Sequence, residues 1–216
     1  IELNPSLLEA HHNLGNILKD LGNLKEALNS YLKAIDINHK NSNSNIYYSI
    51  TRFLRDLDPS KLDKLKLKKL LNILLEKNDV NHQELFKAFK FLYSHQIINI
   101  LQTLDSEFSE IELLVNDKII INALKKLNFS DISLENILTQ ARKNLCNRIE
   151  KNTEKISEAE LKFVIALGEQ CFLNEYVYSF TEEEKILINK IINRCKNGEL
   201  NETNIAIISC YFPLYK

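Results

Sequence analysis

Leu8 to His39 reads LEAHHNLGNILKDLGNLKEALNSYLKAIDINH, and the order of small, apolar and polar residues in this stretch decides the fold. Leu14 and Leu18, and then Ala27, Tyr31 and Ala34, recur at three- and four-residue steps, the period of a helix with one apolar face. Gly22 interrupts the run where a helix would end in a left-handed residue. Asn23 then offers a cap for a second helix, with Glu26 three residues later as its reciprocal partner. The stretch therefore predicts an antiparallel pair of helices, about Leu7 to Leu21 and Leu24 to Ile37, joined by a short turn. Gly15 and Ala27 are small where the two helices must approach, and Leu14, Leu18 and Tyr31 are expected to fill the seam between them.

Sliding the chain against itself by about 34 residues lays Ile1-Glu2-Leu3-Asn4-Pro5 over Ile35-Asp36-Ile37-Asn38-His39, so the same helix end occurs twice. With Leu14-Gly15, Leu18, Gly22, Ala27, Tyr31 and Ala34 at their observed spacings, residues 1–41 resemble the tetratricopeptide repeat family, as one complete copy and the tail of another. His39 stands where that family usually has Pro, and Pro5 keeps the proline in the preceding copy. The resemblance implies an all-α fold: tetratricopeptide hairpins of an α-solenoid, followed by an irregular α-helical domain over residues 46–216. It also implies an interaction module whose first helix lines a groove for an extended peptide. On that basis His12, Asn13, Asn16, Lys19 and Asp20 are the groove candidates, and the expected partner is another protein or an extended peptide segment. Asn13 matches the position whose amides form a ladder in the sugar-transferase type of these repeats. Alternatively it is one more polar residue in an Asn-rich chain.

In phase, a further copy would put Ser49 at the Gly15 position and Lys61 at the Ala27 position. Lys61 cannot do the packing work of Ala27, so the repeat decays or stops there. The polar run Asn41-Ser42-Asn43-Ser44-Asn45 is the candidate boundary, and Asp58-Pro59-Ser60 closes a helix from Ile46 to Leu57. Beyond it, apolar residues at helical steps predict helices over Leu62 to Lys77, Gln83 to Ser94, Gln96 to Leu104, Asp117 to Leu127, Ser133 to Lys151, Ser157 to Asn174, Thr181 to Lys196 and Glu202 to Phe212. Polar breaks at Asn78-Asp79, Asp105-Ser106 and Asn128 separate some of these, and Ser157 and Thr181 each start a capping-box pattern. Phe86, Phe89 and Tyr93 recur at helical steps and mark a core stripe rather than a stacking surface for bases.

Composition sets the outer limits. The chain has 216 residues, 44% hydrophobic, with only 4 Gly and 3 Pro to punctuate it, which favours helices over a multi-stranded sheet. A formal net charge of -1 gives no field for a polyanion, so no nucleic-acid partner is expected. No apolar run has membrane-span length and no signal peptide opens the sequence, so a cytoplasmic location and no membrane partner are expected. Cys146, Cys171, Cys195 and Cys210 are too far apart in sequence for a metal or thioredoxin motif and are expected as buried reduced thiols. His11 and His12 are neighbours and point apart on a helix, so they cannot share a metal. No phosphate loop, nucleophile elbow or zinc-protease motif occurs, and Glu110 and Glu112, or Glu158 and Glu160, diverge on their helices. Cys171 or Cys146 with His82 or His95 lacks any local mark of an activated thiolate. The segment is thus expected to be non-catalytic and to hold no cofactor.

The chain has no Met, starts in mid-repeat and ends on an apolar stretch, which suggests a fragment of a longer polypeptide. A repeat joined to an Asn-, Ile- and Lys-rich helical region also resembles multidomain bacterial proteins in which such segments precede an S-adenosylmethionine-dependent methyltransferase domain. That likeness implies a substrate-recognition role within a larger transferase.

Overall fold

The computed structural model describes residues 7–38, 44–103, 110–151 and 156–214, and every regular element among them is helical. The repeat tail Ile1 to Pro5, His39, the linker positions Asn41 to Asn43 and the break at Asp105-Ser106 lie outside the described residues. The chain divides into two compact units, the first running to Leu92 and the second from Tyr93.

In the first unit, α1 (Leu7–Asp20) and α2 (Leu24–Asn38) form the hairpin. Gly22 adopts φ +78°, a conformation open to glycine at no steric cost, and its amide donates to the Lys19 carbonyl at 2.9 Å. The Asn23 amide donates to Leu18 at 2.8 Å, and the Asn23 carbonyl accepts from Ala27 as the first bond of α2. The seam closes on Gly15. A Cβ built there would stand 2.6 Å from Cε1 of Tyr31, so only hydrogen at position 15 lets the fully buried Tyr31 ring lie against α1. Leu8, Gly15, Ala27, Leu28, Tyr31 and Ile35 are buried in the hairpin. Leu14 differs from expectation: it lies outside the seam and is 44% exposed, because the turn of the helix that buries Gly15 points residue 14 about 100° away. Leu18 is half-buried.

The hairpin continues into α3 (Ser44–Asp56), whose Phe53 ring packs on Tyr31 with centroids 5.0 Å apart. Lys61 then sits exposed in a 3-10 turn (Pro59–Lys61), so the helix that a further copy of the repeat would need at this register is not there. Asp58 caps that turn by accepting from the Ser60 amide at 3.0 Å, and Asp63 caps α4 (Lys64–Glu76) by accepting from Lys66 at 2.9 Å. Leu67, Leu70, Leu71 and Leu74 of α4 are fully buried, as are Ile50 and Leu54 of α3. The two short helices expected over Gln83 to Leu104 are instead a 3-10 turn (His82–Leu85) leading into one helix, α5 (Phe86–Gln102), inside which the two units divide. Ser94, His95 and Gln96 are polar because they lie largely on the solvated side of that helix, not because it breaks there. Phe89 and Tyr93 are buried as expected; Phe86 is half-buried.

The second unit contains α6 (Ile111–Val115), α7 (Lys118–Lys126), α8 (Ile132–Lys151), α9 (Glu158–Leu173), α10 (Glu182–Lys196) and α11 (Glu202–Ser209). α9 packs against α6, α7, α8 and α11 and leaves one exposed stripe of Glu158, Lys162, Ile165, Glu169 and Phe172. Both capping boxes form: Ser157 with Glu160, and Thr181 with Glu184. Each of these glutamates is also buried and shared with a distant arginine. Arg148 Nη1 lies 2.6 Å from Glu160 Oε1, and Arg142 Nη2 lies 3.2 Å from Glu184 Oε1. Arg142 is itself buried, donates to the carbonyls of Tyr178 and Ser179, and stacks over the Tyr211 ring at 4.5 Å. Tyr211 in turn donates its hydroxyl to Glu184 Oε1 at 2.9 Å.

Three thiols surround this arginine from α8, α9 and the end of α11: Cys146, Cys171 and Cys210, all free and buried. Burial pushes Cys146 up to about 11 and Cys210 well above its usual value. A hydrogen bond with the Cys210 thiol, together with the nearby Arg142 charge and against the effect of burial, draws Cys171 below its usual value. His82 is committed to the Lys77 carbonyl at 2.7 Å and His95 to the Asn99 amide at 3.0 Å. Cys195 is free but only half-buried, contrary to the expectation that all four would be enclosed.

Three outcomes follow for stability and reactivity. Gly15→Ala is expected to lower unfolding free energy by about 1–3 kcal/mol in urea titration, because the Tyr31 ring must move in a filled seam. Glu184→Leu leaves Arg142 charged and unpaired and is expected to cost roughly 3–5 kcal/mol, whereas Glu183→Gln, which loses only an exposed pair with Lys143, should cost under about 1. Native protein treated with a thiol reagent at neutral pH should react rapidly at Cys195 alone, and the other three only on unfolding.

Candidate peptide-binding face of the hairpin

At about 100° per residue, Lys19, His12, Asn16, Asp20 and Asn13 fall in that order on one arc of roughly 120° around α1. The helix therefore brings the five expected groove residues onto a single face. The arc is graded rather than uniformly open. His12 is half-buried, its ring 6.2 Å from that of Tyr31, and burial holds it below its usual protonation range. Its imidazole is neutral at pH 7. Asn16 is half-buried too, its Oδ1 accepting from the Tyr31 hydroxyl at 2.8 Å. Burial, with the nearby Asp20 carboxylate, raises the Tyr31 phenol to about 12, so it stays a donor throughout the working pH range. Asn13 and Asp20 are exposed, and Lys19 pairs with Asp20 at 3.2 Å.

Chemically, the arc offers amide donors and acceptors backed by a fixed phenol. Tyr31 occupies the acceptor of Asn16 and so fixes the orientation of its amide, which leaves the Nδ2 hydrogens to donate. Asn13 keeps both functions toward solvent. Such groups recognise a peptide backbone irrespective of its side chains.

Beside this arc lies a feature that the sequence reading did not separate from the seam. Leu14, Ile17 and Leu21 are 44%, 57% and 69% exposed and form an apolar stripe at helical steps, continued by Ala10. Periodicity announced an apolar helix, but the presence of two apolar stripes on α1, one covered and one open, needed the position of α2 to resolve. The described residues contain no grouping of His, Cys, Asp or Glu able to hold a metal ion, and no described helix is long and apolar enough to cross a membrane.

Comparison with known proteins agrees with this geometry at the hairpin and is sparse elsewhere. The gamma tubulin chain of the nucleomorph of Guillardia theta is 26% identical over 121 residues, which cover 56% of this chain and 28% of that protein. The matched stretch thus spans little more than a quarter of the relative, too little and too distant to put this chain in the tubulin family. No solved structure matches. The comparisons lend no support to the likeness with methyltransferase-type proteins. The family model described as tetratricopeptide repeat matches residues 8–41. Residues 8–41 are therefore a tetratricopeptide repeat, with α1 and α2 as its two helices.

Proposed function

We propose that this chain is a protein-interaction module that holds an extended peptide along the Asn13 and Asn16 face of α1. The observation that carries the reading is the contiguous arc itself: two amides one turn apart on a rigid helix, one of them oriented by the buried Tyr31 hydroxyl. Preorganised amides cost little entropy to engage, so they favour a bound strand over solvent. The matching of residues 8–41 to an interaction repeat supports the same reading.

In this proposal the segment binds and does not catalyse. Support comes from the enclosure of Cys146, Cys171 and Cys210 and from the local commitments of His82 and His95. The proposed location is the cytoplasm, where four free cysteines would stay reduced.

The test is binding of the whole chain to an array of unrelated extended peptides, followed by anisotropy titration of the best binders. Asn13→Ala with Asn16→Ala is expected to weaken them by about tenfold or more, the loss of two hydrogen bonds at about 1 kcal/mol each. Tyr31→Phe removes the bond that orients Asn16 while leaving both amides in place, so it should weaken binding by less than the double variant. Unchanged affinity in the double variant, or no peptide bound by the wild type, would sink the groove assignment.

A further inference from the structure

In the second unit, α9 and α11 pack so closely that a Cβ on Gly168 would collide with the Ser209 side chain. On the outer side of this crossing they leave an open groove of about 640 Å³. Its walls are Ile165 and Phe172 from α9, Ile205 from α11, and Tyr176 and Leu214 from the segments that follow those helices. Phe172, at 61% exposed, and Leu214 stand open to solvent, an arrangement that a soluble unit seldom leaves unused. The wall at Tyr176 is held at a conformational cost. Glu175 and Tyr176 are successive non-glycine residues at φ +57° and +59°, stabilised by the Tyr176 amide donating to the Cys171 carbonyl at 2.9 Å.

The lining restricts what can lie there. Its polar side-chain groups are the Tyr176 phenol, the Ser209 hydroxyl, which is already donated to the Ala206 carbonyl, and two carboxylates, Glu169 on α9 and Glu202 at the start of α11; the rest of the lining is apolar. An extended strand laid across it would leave its own amides and carbonyls without partners, whereas a helix satisfies them internally. A helix lying beside α9 and α11 would bury an i, i+3, i+4 apolar stripe in the groove. Among the described residues no Lys, Arg or His lines the groove, and the two charged side chains that do line it are both carboxylates. Lys125 of α7 reaches Glu169 at 3.5 Å from outside, a half-exposed pair that competes weakly with an incoming cation.

We propose that the groove between α9 and α11 is a docking site for an amphipathic helix of a partner protein, with Lys or Arg flanking its apolar stripe opposite Glu169 and Glu202. This site is independent of the α1 face: it takes a helix where α1 takes a strand, and it reads charge where α1 reads backbone.

The experiment uses two synthetic helical peptides of about 18 residues, long enough to form a marginal helix in water, with identical leucine stripes and either Lys or Glu at the flanking positions. Binding to the whole chain is read by fluorescence anisotropy at about 0.15 M salt, where long-range attraction is screened. The Lys-flanked peptide should bind at least about tenfold more tightly than the Glu-flanked one. Phe172→Glu, a change at an exposed side chain, should abolish binding while leaving the melting temperature unchanged. Because that variant adds negative charge, loss of a cationic peptide cannot be an electrostatic artefact. Glu169→Lys with Glu202→Lys should reverse the preference between the peptides. Asn13→Ala should alter none of this, which separates failure of this site from failure of the α1 face. Equal affinity for the two peptides, no binding of either, or binding that survives Phe172→Glu would overturn the proposal. So would a dimer in sedimentation analysis that Phe172→Glu dissolves, since a second copy of the chain would then be the occupant.

Discussion

The contact between the Gly15 backbone and the Tyr31 ring is the constraint on which the first unit turns. With a single hydrogen at position 15, the ring comes within reach of α1 on one side, where it meets His12 and Asn16, and of α3 on the other, where it meets Phe53. One side chain thus joins three helices. Its hydroxyl fixes an amide at the surface while its ring fills the core, so the geometry of the candidate binding face depends on a buried packing event.

The second unit solves the same problem of joining helices by a different chemistry. Its centre is a buried arginine whose two terminal nitrogens meet a carboxylate and two carbonyls and whose plane lies against an aromatic face, while its Nε has no hydrogen-bond partner. Buried ion pairs of this kind are poor sources of net stability, because desolvation offsets most of the attraction. They are intolerant of alternatives, since any packing that separated Arg142 from Glu184 would strand a charge.

The legible parts of the fold were those governed by local rules. Gly22 before Asn23 announced the turn, Ser157 and Thr181 announced two helix starts through their glutamates three residues on, and the tetratricopeptide spacing announced the hairpin. The illegible parts were those that depend on neighbours. An apolar period reveals that a helix has a face but not whether that face is covered, which is why Leu14 was misassigned to the seam. Ser94 to Gln96 looked like a break because polar residues on a solvated face and polar residues in a loop are the same in a linear string. Arg142 gave no signal at all, because a charged residue becomes a core residue only when partners more than thirty positions away converge on it. The Asn13 and Asn16 arc was readable because it sits on one element. The groove of the second unit was not, because it exists only between two.

Glu184 carries one further implication. Its two oxygens simultaneously cap the first turn of α10, hold the arginine of α8 and receive the phenol that follows α11. The middle of α8, the first turn of α10 and the residues after α11 cannot open one at a time, since opening any of them uncovers a charge that the others have buried. Amide hydrogens around Arg142, Glu184 and Tyr211 are therefore expected to exchange through one shared opening, governed by one free energy rather than by the propensity of each helix.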